Sequence, residues 1–304
     1  MSLPRLERIE ARDPQYPVFR RQIFNTFYLA VGLSFVSIFL LQGLGILFAI
    51  FAMAWAIISV QLRIYHRQQV ENFMHYRQTE ALHALYSLVR PRQPLPPMRL
   101  WVISPDFGAL LAGLIQQHKP RTIVELGSGV STLIAAYALE STGVAGHITS
   151  FEHMDDFIST GQRRLEQHGL SQLVTLIHAP LTEQNGTTWY DTSTMQGLTA
   201  IDLLVVDGPP EKTQTSARQP ALDVLYDKLA DGALILVDDY LRDDEYRMVN
   251  AWVETYNLEV VETLATERGT AILRKRASQA PGILDTVNLA IEDAPTENEN
   301  ADTP

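Results

Sequence analysis

The chain has 304 residues, of which 46% are hydrophobic, so it can form one large domain or two smaller ones around a sizeable core. Its formal net charge of -11 predicts no basic surface for nucleic acid, and no nucleic-acid partner is expected. Cysteine is absent. That absence excludes disulfides, thiolate metal sites and cysteine nucleophiles, and it is consistent with a reducing compartment.

A polar leader, residues 1–22, precedes a long uncharged segment. No Asp, Glu, Lys or Arg occurs from Gln22 to Leu62. A break at Gln42-Gly43-Leu44-Gly45 divides this segment into halves of about the length that one membrane span needs. We therefore predict a transmembrane helical hairpin over residues 23–62, with a re-entrant hairpin or a buried helix pair as the alternatives.

Arginines flank this hairpin on both sides. Arg20 and Arg21 precede it, and Arg63 and Arg67 follow it. Because positive charge stays on the cytoplasmic side of a membrane, both ends of the hairpin are predicted to be cytoplasmic. The predicted location is the inner or plasma membrane, with the rest of the chain in the cytoplasm.

A linker is predicted between the hairpin and the remaining chain. Over residues 63–90 apolar side chains recur about every three or four positions, which is typical of an amphipathic helix. A proline-rich run at 91–97 ends it, so the linker covers residues 63–98. At the other end, residues 277–304 carry six carboxylates and no Lys or Arg, and this tail is predicted to be disordered.

Regular alternation of strands and helices is predicted between these ends, in a domain over residues 99–276. The strands are predicted at 121–126, 147–152, 173–178, 201–207, 233–237, 258–264 and 270–274. The helices are predicted at 104–118, 130–140, 154–168, 221–230 and 244–256, and a polar stretch at 182–197 interrupts the pattern. Alternation of this kind implies a mostly parallel sheet in an α/β fold. The last two strands have no helix between them, which predicts an antiparallel final strand.

The stretch 124–132 combines a strand end, a glycine turn and a helix start. Its free N–H groups and helix dipole suit a nucleotide-like ligand. Glu125 lies just before the turn, where it would repel a pyrophosphate and attract an ammonium group, and Thr132 replaces the third glycine of a dinucleotide fingerprint. Glu152 follows one βα unit later, where an acid accepts ribose hydroxyls. The predicted ligand therefore has a ribose and a cationic group but no phosphate beside the turn.

In combination, Val124-Glu125-Leu126-Gly127-Ser128-Gly129 and the later Glu152 resemble motifs I and II of class I S-adenosylmethionine-dependent methyltransferases. Val206-Asp207-Gly208-Pro209-Pro210 and Val237-Asp238-Asp239 resemble more closely a bacterial group related to small-molecule O-methyltransferases. The resemblance implies a Rossmann-like seven-stranded sheet with S-adenosyl-L-methionine as cofactor. The cofactor-binding residues it implies are Glu125, Gly127, Ser128, Gly129, Ser131, Glu152, His153, Ala179 and Asp207.

Acids at the ends of the fourth and fifth predicted strands are the candidates for catalysis. By the resemblance, Asp207, Asp238 and Asp239 stand where catechol-type O-methyltransferases hold Mg²⁺ or another divalent cation, which lowers the pKa of a hydroxyl and orients it. The alternative is that one acid acts as base without a metal. Predicted catalytic residues are Asp207, Asp238 and Lys212, and predicted substrate contacts are Arg218, Tyr240 and Arg242.

Gly208 and Glu211 depart from the Asn/Asp-Pro-Pro-aromatic signature of amino-group methyltransferases, which argues against N-methylation. The sequence therefore predicts a membrane-anchored enzyme that methylates oxygen on a small-molecule, sugar or lipid-linked acceptor. Two alternatives stay open: an aminopropyltransferase on the same fold, and a non-catalytic, membrane-tethered scaffold that binds S-adenosylmethionine. A homo-oligomer is also left open.

Overall fold

The structure is a computed structural model that describes residues 25, 28–29, 31–33, 36, 44–98, 102–184 and 186–277. The predicted leader, most of the first half of the hairpin, its turn at residues 42–43 and nearly all of the predicted tail lie outside the described residues. The predicted hairpin and the disorder of the tail therefore stay predictions.

The first long helix, α1, spans Leu44–Val89 without interruption. Neither glycine nor proline occurs from Ile46 to Val89, so nothing in the sequence breaks its hydrogen-bond ladder. It ends where Arg90 takes a left-handed backbone conformation, just before Pro91. By length and composition, α1 could cross a membrane, since an 18-residue window reaches a mean hydropathy of 2.2.

A seven-stranded sheet forms the centre of the domain, in the order β3-β2-β1-β6-β7-β9-β8. Its strands are β1 (Thr122–Leu126), β2 (His147–Glu152), β3 (Val174–His178), β6 (Ile201–Val206), β7 (Leu229–Val237), β8 (Leu258–Leu264) and β9 (Thr270–Lys275). Neighbours from β3 to β7 pair in parallel, and β9 is antiparallel to both β7 and β8. The predicted mostly parallel sheet with an antiparallel final strand is confirmed.

Helices cover both faces of this sheet. The C-terminal half of α1 packs on one face with α2 (Pro105–His118), α3 (Val130–Thr142) and α4 (Asp155–His168), around a core that includes Leu85, Phe107 and Ile134. The other face packs against α5 (Pro220–Leu225) and α6 (Asp243–Thr255), whose Leu222 and Trp252 are buried. Both faces of the central strands are therefore apolar, as expected for a parallel sheet.

Three predicted elements differ from the structure. The helix predicted at 221–230 ends at Leu225, because a 3-10 turn follows at Tyr226–Lys228 and Leu229 already pairs with Ile201 as the first residue of β7. The polar stretch 182–197 contains a two-stranded hairpin of β4 (Leu181–Gln184) and β5 (Thr187–Tyr190). The helix predicted to begin at residue 63 is the continuation of α1, and it docks on the domain instead of only connecting to it.

Candidate active site

The carboxyl ends of β1, β2, β6 and β7 meet at one edge of the sheet, called here the carboxyl edge, where open α/β sheets bind ligands. The loop after β1 crosses the loop after β6 at two glycines. Gly127 has φ +94, and a Cβ there would lie 3.3 Å from the backbone of Asp207. A Cβ on Gly208 would lie 3.1 Å from the backbone of Gly127. Only glycine on both sides allows the loops to approach this closely.

Glu125 is linked to the glycine turn, residues 127–129, by a chain of hydrogen bonds. Its Oε2 accepts hydrogen bonds from the hydroxyls of Thr132 and Ser150, and Thr132 also accepts one from the Gly129 N–H at 3.0 Å. Burial raises the pKa of Glu125, although hydrogen bonds, that from Ser131 foremost, oppose the shift. Its Oε1 is buried with no hydrogen-bond partner among the described residues. That oxygen is the acceptor which an ammonium group would satisfy.

Glu152 lies at the end of β2, beside the same turn. Its Oε1 accepts from the backbone N–H groups of His153 and Met154 at 2.8 and 2.9 Å. Its Oε2 lies 3.3 Å from the N–H of Ser128. Burial opposes ionisation, but hydrogen bonds from His153 and the following backbone outweigh it and lower the pKa of Glu152. A carboxylate that stays ionised beside the glycine turn is suited to accept hydrogen bonds from two hydroxyls of a ribose.

Tyr190 enters the site from the hairpin β4–β5 and was not predicted. A Cβ on Gly208 would overlap its buried hydroxyl, and its ring lies 6.4 Å from that of His153, centroid to centroid, in an edge-to-face arrangement. The hydroxyl has no hydrogen-bond partner among the described residues. Tyr190 therefore forms a wall of the space beside Glu152 and carries a hydrogen-bonding group that a ligand could use.

Asp207, Asp238 and Asp239, called here the acid cluster, lie together at the ends of β6 and β7. One carboxylate oxygen from each lies within 4.8 Å of the others. Asp238 is 0% exposed, and neither of its oxygens has a hydrogen-bond partner in the described part of the chain. Burial, with the nearby carboxylates of Asp207 and Asp239, raises the pKa of Asp238 well above its usual range. Burial also raises the pKa of Asp207, to about 7, against the opposing charge of Arg218.

Asp239 holds its position in the cluster at a backbone cost. Its φ of +63 is left-handed, which costs about 1–2 kcal/mol for a residue with a Cβ. The surrounding contacts compensate for this strain: Arg218 Nη2 lies 2.8 Å and Arg242 Nη1 2.9 Å from the same carboxylate oxygen. Such strain, overcome by charged contacts, is typical of functional sites.

Arg218 lies beneath the acid cluster and is only 4% exposed. Its Nη2 donates to the carbonyl of Asp207 at 2.9 Å and to Asp239 at 2.8 Å, and its Nη1 donates to the carbonyl of Asp238 at 3.2 Å. Burial opposes its charge, but the carboxylates, that of Asp207 foremost, raise the pKa of Arg218. This arrangement favours a role as the buried counter-ion of the cluster over the predicted substrate contact.

The remaining predicted site residues divide into buried and exposed groups. Tyr240 is buried against Tyr246, with ring centroids 5.6 Å apart, and Ala179 is buried with its N–H bonded to the carbonyl of Glu152 at 2.8 Å. Lys212 is exposed on a short 3-10 turn. Arg242 is partly exposed and bridges Asp239 to Glu211 and Glu245. The binding and catalytic roles of all these residues stay predictions.

The structure adds residues that sequence reasoning missed. Arg268, from the turn between β8 and β9, reaches within 3.8 Å of Asp239, and nothing in its local sequence marks it. The hairpin that carries Tyr190 did have a signal. Asn185-Gly186 is a typical two-residue hairpin turn, and Thr187-Thr188-Trp189-Tyr190 after it is rich in strand-forming residues.

Comparisons with known proteins agree with this geometry. Residues 124–240, from the end of β1 through the acid cluster, match the family model of a methyltransferase domain. No curated protein sequence matches the chain.

A solved structure with the same fold is that of a methyltransferase from Podospora anserina with S-adenosylhomocysteine bound. It is 18% identical, with a TM-score of 0.50, over 69% of this chain and 96% of that one. An O-methyltransferase of tomaymycin synthesis from Streptomyces achromogenes, in complex with S-adenosylmethionine, is 17% identical, with a TM-score of 0.45. The match covers 66% of this chain and 89% of that one. An O-methyltransferase from Bacillus cereus, in complex with S-adenosylhomocysteine, is 15% identical, with a TM-score of 0.46. The match covers 66% of this chain and 90% of that one.

Proposed function

We propose that this chain is a class I S-adenosylmethionine-dependent methyltransferase that transfers the methyl group to a hydroxyl oxygen of its acceptor. The observation that carries the proposal is the position of Asp207. Its backbone packs against the glycine turn at Gly127, and its carboxylate belongs to the acid cluster. A methyl donor held at the turn would therefore lie beside oxygen acceptors that can take up the proton of a hydroxyl.

In the proposed reaction, the acceptor oxygen attacks the methyl carbon of the sulfonium. The O–C bond forms as the S–C bond breaks, the bonding pair stays on sulfur, and S-adenosylhomocysteine is the second product. The hydroxyl proton passes to the carboxylate of Asp207, which lies at the open side of the cluster. Arg218 also lies 3.2 Å from a carboxylate oxygen of Asp207, but the Asp207 side chain is 16% exposed, against 2% for that of Asp239, and Asp238 is 0% exposed. Asp207 is therefore the member best placed to act as the general base.

A divalent cation is the second part of the proposal. Carboxylate oxygens are the ligands that Mg²⁺ and Ca²⁺ prefer, and the two buried oxygens of Asp238 lack hydrogen-bond partners among the described residues. The residues present thus fit a cation held by Asp207, Asp238 and Asp239. Bound there, it would lower the pKa of the acceptor hydroxyl and fix its direction. Arg218 would stay beneath the cluster and limit its net negative charge.

Membrane anchoring through α1 is also proposed. The segment from Leu44 to Leu62 has no charged residue, and large apolar side chains on it, such as Leu47, Phe51 and Ile58, are exposed. Exposed apolar surface of this extent marks an interaction site, and its length matches about one bilayer span. We take the bilayer as its partner, together with the preceding residues 23–41 of the predicted hairpin.

Calorimetry with S-adenosylmethionine, followed by transfer of labelled methyl to hydroxyl-bearing acceptors with Mg²⁺ or with EDTA, tests the proposal. We expect binding by the wild type and by Asp207→Asn, and at least about a hundredfold slower transfer by Asp207→Asn. The control is Asp223→Asn, which removes an exposed acid whose partner is the hydroxyl of Tyr256.

The other outcomes separate the alternatives. A protein that binds no S-adenosylmethionine contradicts the proposal. Binding without transfer to any acceptor favours the non-catalytic scaffold. Transfer of an aminopropyl group from decarboxylated S-adenosylmethionine to an amine favours the aminopropyltransferase. If methyl transfer is equally fast in EDTA, the proposed role of the cation is excluded and Asp207 remains the proposed base.

A further inference from the structure

Helix α1 reaches the domain at the carboxyl edge. Gln78 donates to the side chain of Asp106 at 2.8 Å, and Arg77 donates to the carbonyl of Ala265 at 3.1 Å. Ala265 begins the turn between β8 and β9, which lies at the carboxyl edge because Leu264 pairs with Thr270 there. The same turn carries Arg268, which contacts the acid cluster at Asp239. The N-terminal end of the docked part of α1 is therefore next to the active site.

From this point α1 runs toward the opposite edge of the sheet. The carbonyl of Leu88 accepts from Gln116, near the C-terminal end of α2. Just after α1, Arg92 pairs with Glu140 near the end of α3 and donates to the carbonyl of His168 at the end of α4. Helices that follow parallel strands end at the amino edge, so these contacts mark that edge. Residues 77–89 thus descend the domain from the carboxyl edge to the amino edge.

The rest of α1 must then project beyond the carboxyl edge. It is one continuous helix, and residues 44–76 precede Arg77 and Gln78, whose hydrogen bonds to the domain mark the carboxyl edge. The uncharged segment ends at Leu62, 16 residues before Gln78, which is about 24 Å of helix. The segment proposed to enter the bilayer therefore lies on the side of the molecule where the active site opens.

The length of this spacing limits which membrane-bound acceptors can reach the active site. The headgroup layer occupies about 5–8 Å outside the hydrocarbon core. About 15–20 Å of water then remains between the headgroups and the carboxyl edge. The headgroup of an ordinary phospholipid would not cross this gap, whereas a chain of polar units on a lipid anchor would.

We propose that the active site faces the bilayer across this gap and that its acceptor is a lipid-linked saccharide, methylated on a hydroxyl several units from the lipid. This inference rests on the proposed O-methyl transfer and on membrane insertion of α1. It assigns to residues 63–76 the role of a rigid spacer that sets which part of the acceptor meets the cofactor. A soluble acceptor would gain nothing from such a spacer.

Orientation is tested without any acceptor. The chain has no cysteine, so a single introduced cysteine takes one fluorescent label. Asp156→Cys and Gln167→Cys form a matched pair, because both residues are exposed on α4, the first near the carboxyl edge and the second near the amino edge, about 17 Å apart. The labelled full-length proteins are reconstituted in phosphatidylethanolamine and phosphatidylglycerol vesicles whose headgroups carry an energy acceptor. We expect stronger energy transfer from position 156 than from position 167. Equal transfer, or stronger transfer from 167, overturns the orientation.

The acceptor class is tested by shortening the spacer. Deletion of residues 64–70 removes about 10 Å of helix and turns the following residues by only about 20°. Labelled methyl is followed into the lipid extract and the water-soluble fraction of cells that produce each protein. We expect label in the lipid extract, at least about tenfold less with the deletion, and unchanged S-adenosylmethionine binding.

Label confined to water-soluble molecules, or lipid label unaffected by the deletion, overturns the inference. Its failure is distinguishable from failure of the proposed function. If S-adenosylmethionine does not bind, the methyltransferase proposal fails, while the energy-transfer comparison still reports which edge faces the bilayer.

Discussion

At the scale of single residues, the fold explains two of the three glycines in the site. Gly127 and Gly208 are required by the fold, because their loops cross within contact distance. Gly129 is not: its φ of 177 is ordinary extended backbone, and a Cβ there would meet only Ser131 Oγ at 3.9 Å. A glycine that the protein itself does not need indicates that something else approaches the backbone there.

Gly129→Ala is therefore expected to fold normally and to bind S-adenosylmethionine at least about tenfold more weakly, a loss of about 1.4 kcal/mol. Gly208→Ala is expected to destabilise the fold by about 1–3 kcal/mol, because its methyl group overlaps the hydroxyl of Tyr190. Tyr190→Phe in the same chain should restore part of that stability. Thermal unfolding and calorimetry check all three, and a Gly129→Ala protein with wild-type affinity would contradict a cofactor at the turn.

A buried histidine far from the site gives a prediction for pH. His168 Nδ1 lies 2.8 Å from the hydroxyl of Tyr137, and burial, helped by the charges of Arg92 and Arg164, lowers the pKa of His168. The neutral form is thus favoured in the folded state. Its contribution to stability is complete above the unfolded pKa of about 6.5 and is lost as pH falls through the lower folded pKa.

We expect His168→Asn to lose less stability than the wild type between pH 7.5 and 5, because asparagine cannot gain a proton there. Urea unfolding at several pH values measures the difference between the two proteins, so other titrating groups cancel. The control is His147→Asn, which replaces an exposed histidine on β2. Parallel stability curves for His168→Asn and the wild type would show that His168 does not carry this dependence.

At the scale of elements, the strands and the acids at their ends were predictable from sequence, whereas the contacts that loops and turns bring to the acid cluster were not. Apolar runs predicted the seven strands of the main sheet, although β7 begins at Leu229 and not at residue 233. The glycine turn and Glu152 lie together as expected, because each signal lies within one βα unit, and their binding of a cofactor stays a prediction. Arg218 contacts the acid cluster because the chain returns there after β6, and Arg268 reaches it from the turn between β8 and β9 at the same carboxyl edge. Neither position has a local pattern that distinguishes it from a surface arginine.

The local sequence of the predicted linker likewise did not show that this part of α1 packs into the domain, and the packing leads to a prediction. Leu85 in α1 is 0% exposed and packs near Gly108 and Ile134, whereas the next residue, Tyr86, is 41% exposed. Leu85→Ala is expected to destabilise the domain by about 2–5 kcal/mol and lower its Tm by about 5–15 °C. Tyr86→Ala should change Tm little. Equal effects in thermal unfolding would mean that this half of α1 does not belong to the fold.

At the scale of the whole molecule, α1 has two parts of different character that a truncation can separate. Its first part, residues 44–62, is apolar and exposed, and its last part, residues 77–89, belongs to the core of the domain. Removal of residues 1–62 should therefore yield a folded, water-soluble protein that binds S-adenosylmethionine with wild-type affinity. Removal of residues 1–91 also removes Leu85 and Val89 and should lower Tm or prevent folding.

The activities of the first truncated chain distinguish an anchor from a part of the catalytic machinery. If residues 1–62 only position the domain, transfer to a water-soluble hydroxyl acceptor should be unchanged, because the hydrogen bonds that dock α1 beside the active site come from Arg77 and Gln78, which the truncated chain keeps. Transfer to a membrane-bound acceptor should fall sharply, since the effective concentration set by the anchor is lost. Vesicle flotation and labelled-methyl transfer measure both. If transfer to the membrane-bound acceptor is undiminished, or the truncated chain still floats with vesicles, another surface must bring the enzyme to the membrane.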